Sequence, residues 1–199
     1  MGVGEIKVLR EKTGAGMMDC KAALLESNGD IEKAVDFLRR KGLAAAGKKS
    51  GRHTKEGCIS SYIHGGRVGV LIEVNCETDF VARNPEFQTF VRDLAMQVAG
   101  ANPVPRYVRE GDIPKEVLEK EESIFMDQAR ALKKPEEIAI KVSKGKLRKF
   151  IQEVCLLSQP FIKDPDMTIQ ELVSGKIAKM GENIQICRFV RYQLGEEES

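Results

Sequence analysis

Hydrophobic residues in the first forty positions recur at helical spacing, and glycines separate the periodic stretches. The pattern predicts one helix over residues 4–12 and a second over residues 17–27. A third helix is predicted to begin after Asp30, a favourable N-cap residue, and to end at Gly42 behind a basic last turn. Together these helices predict a small N-terminal module over residues 1–43, whose core is thin for an independent domain.

The next stretch, residues 44–56 (AAAGKKSGRHTKE), contains few apolar residues and many cations. We interpret it as a basic linker, into which the third helix could extend, because such a composition does not form a packed core. A solvated linker is the plainer interpretation. An RNA-binding module remains an alternative, and the cations that it would use are Lys48, Lys49, Arg52 and Lys55.

Two runs of strand-forming residues follow, GCISSYIH and RVGVLIEVNC, on either side of a glycine pair. Gly65-Gly66 tolerates the positive φ of a tight turn, so the two runs predict a β-hairpin. Alternation places four apolar residues of the second strand on one face, which should belong to the core: Val68, Val70, Ile72 and Val74. The last run, NIQICRFVRYQLG, predicts a third strand that returns to this sheet.

Helical patterns fill the chain between the hairpin and the last strand. Asn84-Pro85 is a typical helix start, and six of the residues behind it share one helical face: Phe87, Phe90, Val91, Leu94, Ala95 and Val98. Two charged helices are predicted over residues 116–132 and 136–157, as an antiparallel pair separated by residues 133–135. Their facing residues are expected to be Leu118, Ile124, Phe125 and Ala129 opposite Ile138, Val142, Leu147 and Ile151.

A further short helix is predicted to start near Thr168. The order of elements then indicates an α+β fold, because a hairpin and a late strand enclose a series of helices. We expect a three-stranded antiparallel sheet packed by helices, in a core domain over residues 57–199.

Composition limits the classes of function. Of the 199 residues 42% are hydrophobic and 31% charged, as in ordinary globular domains. Lysine and arginine total 32 against 30 acids, so the net charge of +2 gives no general attraction to nucleic acid or membranes. Five cysteines without CxxC pairing indicate reduced thiols, and the N-terminus lacks the apolar region of a signal peptide. No apolar stretch approaches the ~18 residues that span a bilayer, so we expect a cytoplasmic protein.

The sequence contains no arrangement that is typical of an active site. Its two histidines, His53 and His64, fall in the linker and in a turn, and Cys76 near Asp79 is better interpreted as a small buried residue than as a catalytic thiol. The ligand spacings of zinc and calcium sites are absent, and the glycines of residues 14–16 follow no strand as a phosphate loop would. We therefore predict no cofactor and no metal.

Apolar residues at exposed positions instead favour a binding function. Met17 and Met18 lie about 100° apart around a helix axis, so both cannot face the same small core. Partial burial of both and an exposed methionine surface are about equally consistent with this pattern. Phe80 follows a strand in the stretch NCETDFVARN, where the pattern alone favours a ring packed on the junction over a ring that projects toward a partner.

Two long segments resemble the signature segments of bacterial elongation factor Ts. They are LREKTGAGMMDCKAAL, continued by ESNGDIEKAVDFLRRKG, and EVNCETDFVARN; the closing GENIQICRFVRYQLG is also similar. The resemblance spans nearly the whole chain, although 199 residues is shorter than many members, which have a second core subdomain. It implies an N-terminal module resembling a ubiquitin-associated domain, a linker and an α+β core with an antiparallel sheet.

The resemblance also implies a function. Members of the family are guanine nucleotide exchange factors for elongation factor Tu, the GTPase that delivers aminoacyl-tRNA, and have no covalent chemistry of their own. Four residues are implied to dislodge magnesium in the partner: Thr78, Asp79, Phe80 and Val81. Five are implied to bind the partner: Leu9, Arg10, Met17, Met18 and Lys21. No direct binding of nucleotide, nucleic acid or membrane is expected, and short members tend to form homodimers in a two-plus-two complex.

Overall fold

The computed structural model describes residues 3–131 and 135–196. Three helices form its N-terminal part: α1 (Val3–Thr13), α2 (Met17–Glu26) and α3 (Ile31–Lys49). Asp30 caps α3 by accepting a hydrogen bond from the Lys33 N–H at 3.1 Å, as its position in the sequence predicts. Five buried side chains form the small core of these helices: Leu9, Cys20, Ala23, Leu24 and Ala34.

Helix α3 is longer than the sequence pattern predicts, so the predicted end at Gly42 is wrong. The helix continues to Lys49, and residues 44–49 of the predicted linker are therefore helical. Gly42 is buried where α3 crosses α8 (Ile169–Met180), and a Cβ there would lie 3.6 Å from the Ser174 carbonyl oxygen. This distance is an ordinary van der Waals contact, so the packing does not require a glycine at this position. Helix α3 continues through Gly42 because tertiary packing overrides the low helix propensity of a single glycine.

Three antiparallel strands form the main sheet in the order β1-β2-β5, which confirms the predicted α+β architecture. They are β1 (Glu56–His64), β2 (Val68–Cys76) and β5 (Gln185–Gln193). Strand β2 is central, because Leu71 pairs with Ser61 of β1 and with Val190 of β5. Gly57 has a φ of +148°, and a Cβ there would lie 2.3 Å from the Val74 carbonyl oxygen. Only glycine fits this close approach of the two strands.

Helix α5 (Pro85–Gly100) covers one face of the sheet. Its N-cap is Asn84, which accepts a hydrogen bond from the Glu86 N–H at 2.8 Å. All six apolar residues that the pattern assigned to the core are buried, and they pack against Val70 and Ile72 of β2. The main hydrophobic core thus lies between α5 and β2, and the other face of the sheet stays open.

A second, two-stranded sheet was not predicted. It pairs β3 (Pro160–Phe161) with β4 (Asp164–Thr168) immediately before α8. The buried Gln97 of α5 holds it, because its amide donates to the Pro160 carbonyl at 3.1 Å and accepts from the Ile162 N–H at 2.8 Å. The two strands were not predicted because they lack the apolar alternation of a typical strand and are held by a buried amide instead.

Helices α6 (Lys115–Ala131) and α7 (Glu136–Val154) form the predicted antiparallel pair. The predicted connection at residues 133–135 falls largely outside the described residues, which omit residues 132–134. Helix α7 ends earlier than predicted, because Cys155 leaves the helix to bridge with Tyr107.

The contact between the two helices differs in part from the prediction. Ala129 is buried as expected, and the Phe125 ring meets the Phe150 ring edge-on at 6.4 Å. Ile124 and Ile138, however, are exposed, so their predicted position at the contact is wrong. The buried positions on α7 include the small residues Ala139 and Ser143, and the Ser143 hydroxyl donates to the Glu122 carbonyl of α6 at 3.5 Å.

Candidate partner-binding site

Residues 78–82 form a single helical turn directly behind β2, which we name the Phe80 turn. Its helix α4 (Asp79–Ala82) begins behind Thr78, whose hydroxyl oxygen accepts a hydrogen bond from the Val81 N–H at 3.5 Å. The Phe80 side chain is 84% exposed. It projects into solvent, so the packed orientation favoured by the local pattern is wrong.

The other residues of the Phe80 turn have distinct environments. Asp79 forms an ion pair with Arg83 at 3.2 Å on the surface of the turn. Val81 is half-buried against the main core, and Ala82 is buried in it. Val81 and Ala82 therefore attach the turn to the core, whereas the Phe80 ring and the Asp79 carboxylate remain accessible to a partner.

A distant segment holds the Phe80 turn, and this contact was not predicted from the sequence. The Glu182 carboxylate accepts hydrogen bonds from the Glu77 N–H at 3.1 Å, the Thr78 N–H at 3.0 Å and the Thr78 hydroxyl at 2.6 Å. The neighbouring Asn183 N–H donates to the Glu77 carboxylate. Because 104 residues separate Thr78 from Glu182, no local periodicity could have connected them.

Helix α2 exposes a mixed apolar and basic surface. Met17 and Met18 are 60% and 75% exposed, so both lie outside the small core and partial burial of the pair is wrong. Lys21 is exposed one turn further along. Leu25 is also exposed and was missed, although its spacing of eight residues from Met17 was a usable signal. We name Met17, Met18, Lys21 and Leu25 the α2 face.

The two candidate residues of α1 differ in accessibility. Arg10 is exposed and can contact a partner. Leu9 is fully buried among the three N-terminal helices, so its side chain cannot take the surface role that was expected of it. The residue instead supports the helices that carry the α2 face.

The environment of Cys76 argues against a catalytic thiol. Its side chain is fully buried, and its S–H donates to the Thr78 carbonyl at 3.2 Å. Burial, followed by the nearby Glu182 carboxylate, raises the pKa of the Cys76 thiol to about 11. Little thiolate would form at neutral pH. The His64 ring lies 3.2 Å from the Tyr62 hydroxyl rather than beside this thiol.

Among residues 3–131 and 135–196, no three His, Cys, Asp or Glu side chains are grouped closely enough to hold a metal ion. Within the same part of the chain, every helix is too short or too polar to cross a bilayer. The exposed Phe80 turn and the α2 face are the described features that point to a binding function.

Comparison with known proteins identifies the family. The family model described as Elongation factor TS matches residues 46–196. Elongation factor Ts of Carboxydothermus hydrogenoformans is 60% identical over 192 residues, which make up 96% of this chain and 88% of that protein. The chain belongs to the elongation factor Ts family.

Two more elongation factor Ts proteins extend this result. The protein of Moorella thermoacetica is 56% identical over 197 residues, or 98% of this chain and 96% of that protein. The protein of Syntrophus aciditrophicus is 58% identical over 193 residues, or 96% and 95% of the two chains. A match over 197 residues of this chain spans both the α2 face and the Phe80 turn.

Proposed function

We propose that this chain is a guanine nucleotide exchange factor for elongation factor Tu and promotes the release of GDP during translation elongation. The main support for this proposal is the Phe80 ring, which projects from a capped helical turn in a member of the elongation factor Ts family. An exposed aromatic side chain on a held turn is costly to leave in water, and it suits insertion between the side chains of another protein.

In this proposal the two exposed features act on different parts of the partner. The α2 face, with Arg10 beside it, docks on the nucleotide-binding domain of elongation factor Tu. The Phe80 ring enters near the magnesium site, and Asp79 next to it competes for polar groups there. Magnesium and loop amides hold the phosphates of GDP, so displacement of the residues that support them weakens nucleotide binding.

Thermodynamic linkage sets the direction of the cycle. A factor that weakens GDP binding must itself bind the nucleotide-free GTPase more tightly than the loaded form. GTP that enters the empty site therefore expels the factor. The chain needs no nucleotide site and no covalent chemistry for this function, which agrees with the buried, protonated Cys76.

The RNA-binding alternative gains no support from the geometry. Lys48 and Lys49 lie in the last turn of α3. Arg52 contacts Glu77 at 3.5 Å, and its carbonyl accepts a hydrogen bond from the Asn183 amide at 2.9 Å. Arg52 is therefore part of a structural network with Glu77 and Asn183.

We also propose that two copies pair through the open face of the main sheet. Five large side chains are exposed there: Ile59, Ile63, Leu71, Val190 and Tyr192. The ion pair between Glu73 and Arg188, at 2.7 Å, borders them without adding net charge. A second copy presents the same apolar face, and a two-fold interface between sheets would bury both. Two copies could then bind two GTPases.

Stopped-flow release of a fluorescent GDP analogue from elongation factor Tu tests the exchange proposal. Phe80→Ala should slow the stimulated release by at least about tenfold, which corresponds to ~1.4 kcal/mol of activation free energy. Because the ring is exposed, circular dichroism and the melting temperature should stay near those of the wild type.

Ile162→Ala is the matched control, since it also removes an exposed apolar side chain but lies between β3 and β4. It should leave the release rate unchanged. Wild-type rates for Phe80→Ala would remove the ring from the mechanism. Absence of any stimulation by the wild-type chain would refute the exchange function itself.

A further inference from the structure

We propose that Glu182 is the positioning residue of the Phe80 turn, and that its carboxylate sets the direction in which the Phe80 ring projects. Its role in exchange rests on the proposed function, whereas its role in ordering the turn does not. Glu182 lies in the short connection between α8 and β5, outside both exposed features described above.

Glu182 accepts three hydrogen bonds from the two residues that lead into the turn. One carboxylate oxygen accepts from the Glu77 and Thr78 N–H groups, at 3.1 and 3.0 Å. The other accepts from the Thr78 hydroxyl at 2.6 Å, so the hydroxyl proton points to Glu182. The hydroxyl oxygen is then free to accept from the Val81 N–H and to cap α4. Glu182 thereby selects the side-chain orientation of Thr78 that begins the helix.

The Phe80 turn needs such support because it is short. Helix α4 has four residues, and a single helical turn is unstable without tertiary contacts. Packing supplies contacts at Val81 and Ala82 only, while the Phe80 ring is surrounded by solvent. Removal of the carboxylate would leave two backbone N–H groups and one hydroxyl without these acceptors, so the turn should fray and the ring should lose its fixed direction.

Asn183 extends the same connection to the N-terminal helices. Its amide group donates to the Arg52 carbonyl at 2.9 Å and to the Ser50 carbonyl at 3.4 Å, directly behind the end of α3. Helix α3 has 19 residues and is therefore about 28 Å long, and it also belongs to the unit that carries the α2 face. Glu182 and Asn183 thus fix the Phe80 turn relative to the helix that leads to the docking surface.

The chain offers a matched control for loss of a capping carboxylate. Glu171 accepts hydrogen bonds from the Thr168 N–H at 2.8 Å and the Thr168 hydroxyl at 3.0 Å, at the start of α8. Glu171→Ala therefore removes the same kind of interaction from a different helix. If Glu182 only stabilises the fold, Glu182→Ala and Glu171→Ala should have similar effects on the Phe80 turn and on exchange.

A single tryptophan reports the order of the turn without the partner. The chain contains no tryptophan, so Phe80→Trp places one fluorophore at the tip of the turn. We expect Glu182→Ala in this background to lower the fluorescence anisotropy and Glu171→Ala to leave it unchanged. Glu182→Gln retains one acceptor oxygen and should give an intermediate value, and it replaces the alanine variant if that variant does not fold. Unchanged anisotropy in a folded Glu182 variant overturns the proposal.

The effect of Glu182 on exchange is tested in variants that retain Phe80. GDP release from elongation factor Tu is measured as a function of factor concentration. Glu182→Ala should lower the maximal rate by about tenfold, whereas the half-saturating concentration should change by less than about twofold because the α2 face is intact. An equal loss with Glu171→Ala would also overturn the proposal. If the anisotropy falls as expected but neither Glu182→Ala nor Phe80→Ala slows release, the positioning role holds and the ring has no part in exchange. If the anisotropy falls but the wild-type chain does not stimulate release, the positioning role holds and the proposed function fails.

Discussion

Neighbouring apolar residues of the N-terminal helices have opposite environments, and this difference decides what each can contribute. Met17 and Met18 are exposed on α2, whereas Leu9 of α1 is fully buried. Flexible methionine side chains suit an adaptable contact surface, and a buried leucine contributes packing energy to the fold. Substitutions at the two kinds of site should therefore separate binding from stability.

The double variant Met17→Ala, Met18→Ala should weaken binding to elongation factor Tu by about tenfold or more, since large side chains at the centre of an interface contribute most of its affinity. Its melting temperature should stay near that of the wild type. Leu9→Ala should instead lower the free energy of unfolding by about 3 kcal/mol. Calorimetry and thermal melts distinguish the two results; a stable Leu9→Ala variant would contradict the buried position.

Ion pairs between elements show how helix α8 is joined to α5. Glu86 in the first turn of α5 receives Lys176 and Lys179 of α8, each at 2.7 Å. Burial disfavours the ionised carboxyl, but the two lysine hydrogen bonds outweigh it and lower the pKa of Glu86 below its ordinary value of 4.5. A carboxyl with a lowered pKa stabilises the folded state above the unfolded pKa and loses this contribution as the pH falls through the folded value.

Glu86→Gln should accordingly reduce the free energy of unfolding at neutral pH by about 1 kcal/mol. The difference from the wild type should shrink below pH 4.5 and vanish once the folded wild type is protonated. Urea unfolding at several pH values measures this difference in the free energy of unfolding. Glu119→Gln, which removes an exposed pair with Lys115 within one helix, should change stability by less than about 0.5 kcal/mol. A Glu86 effect that is independent of pH would exclude the ionised carboxyl as its cause.

The whole molecule has one packed and one open face on its main sheet. Helix α5 packs on the first face, and the second exposes Ile63 and Leu71 among other large side chains. Exposure of such an apolar surface to water is unfavourable, and we propose that a second copy of the chain covers it. A charge on this face should be tolerated by the monomer but not by the dimer.

Analytical ultracentrifugation should give twice the mass of one chain for the wild type and the mass of one chain for Ile63→Lys, because pairing would bury the new ammonium group. Circular dichroism of the variant should match the wild type, since the side chain is exposed in the single chain. Ile162→Lys, between β3 and β4, is the control and should remain dimeric. A wild-type chain that is monomeric at micromolar concentration would contradict the proposed pairing.

Local signals in the sequence determined most of the elements. Period-two and helical patterns located the hairpin, α5 and the last strand, because the apolar residues of each element recur at a regular spacing in the sequence. Caps such as Asp30 and Asn84 were identified for the same reason, since a cap acts on N–H groups two or three residues away. The segments that resemble the family's signature segments also led to the candidate binding residues.

Tertiary contacts decided what the local pattern could not. Helix α3 packs against α8 at Gly42 and continues past this glycine, and the small sheet is held by Gln97 from another helix. The residue that begins the Phe80 turn, Thr78, is held by hydrogen bonds to Glu182, far along the chain. In each case the deciding partner lies many residues away, so a pattern of neighbours locates the residue but does not determine which way its side chain points or where its helix ends.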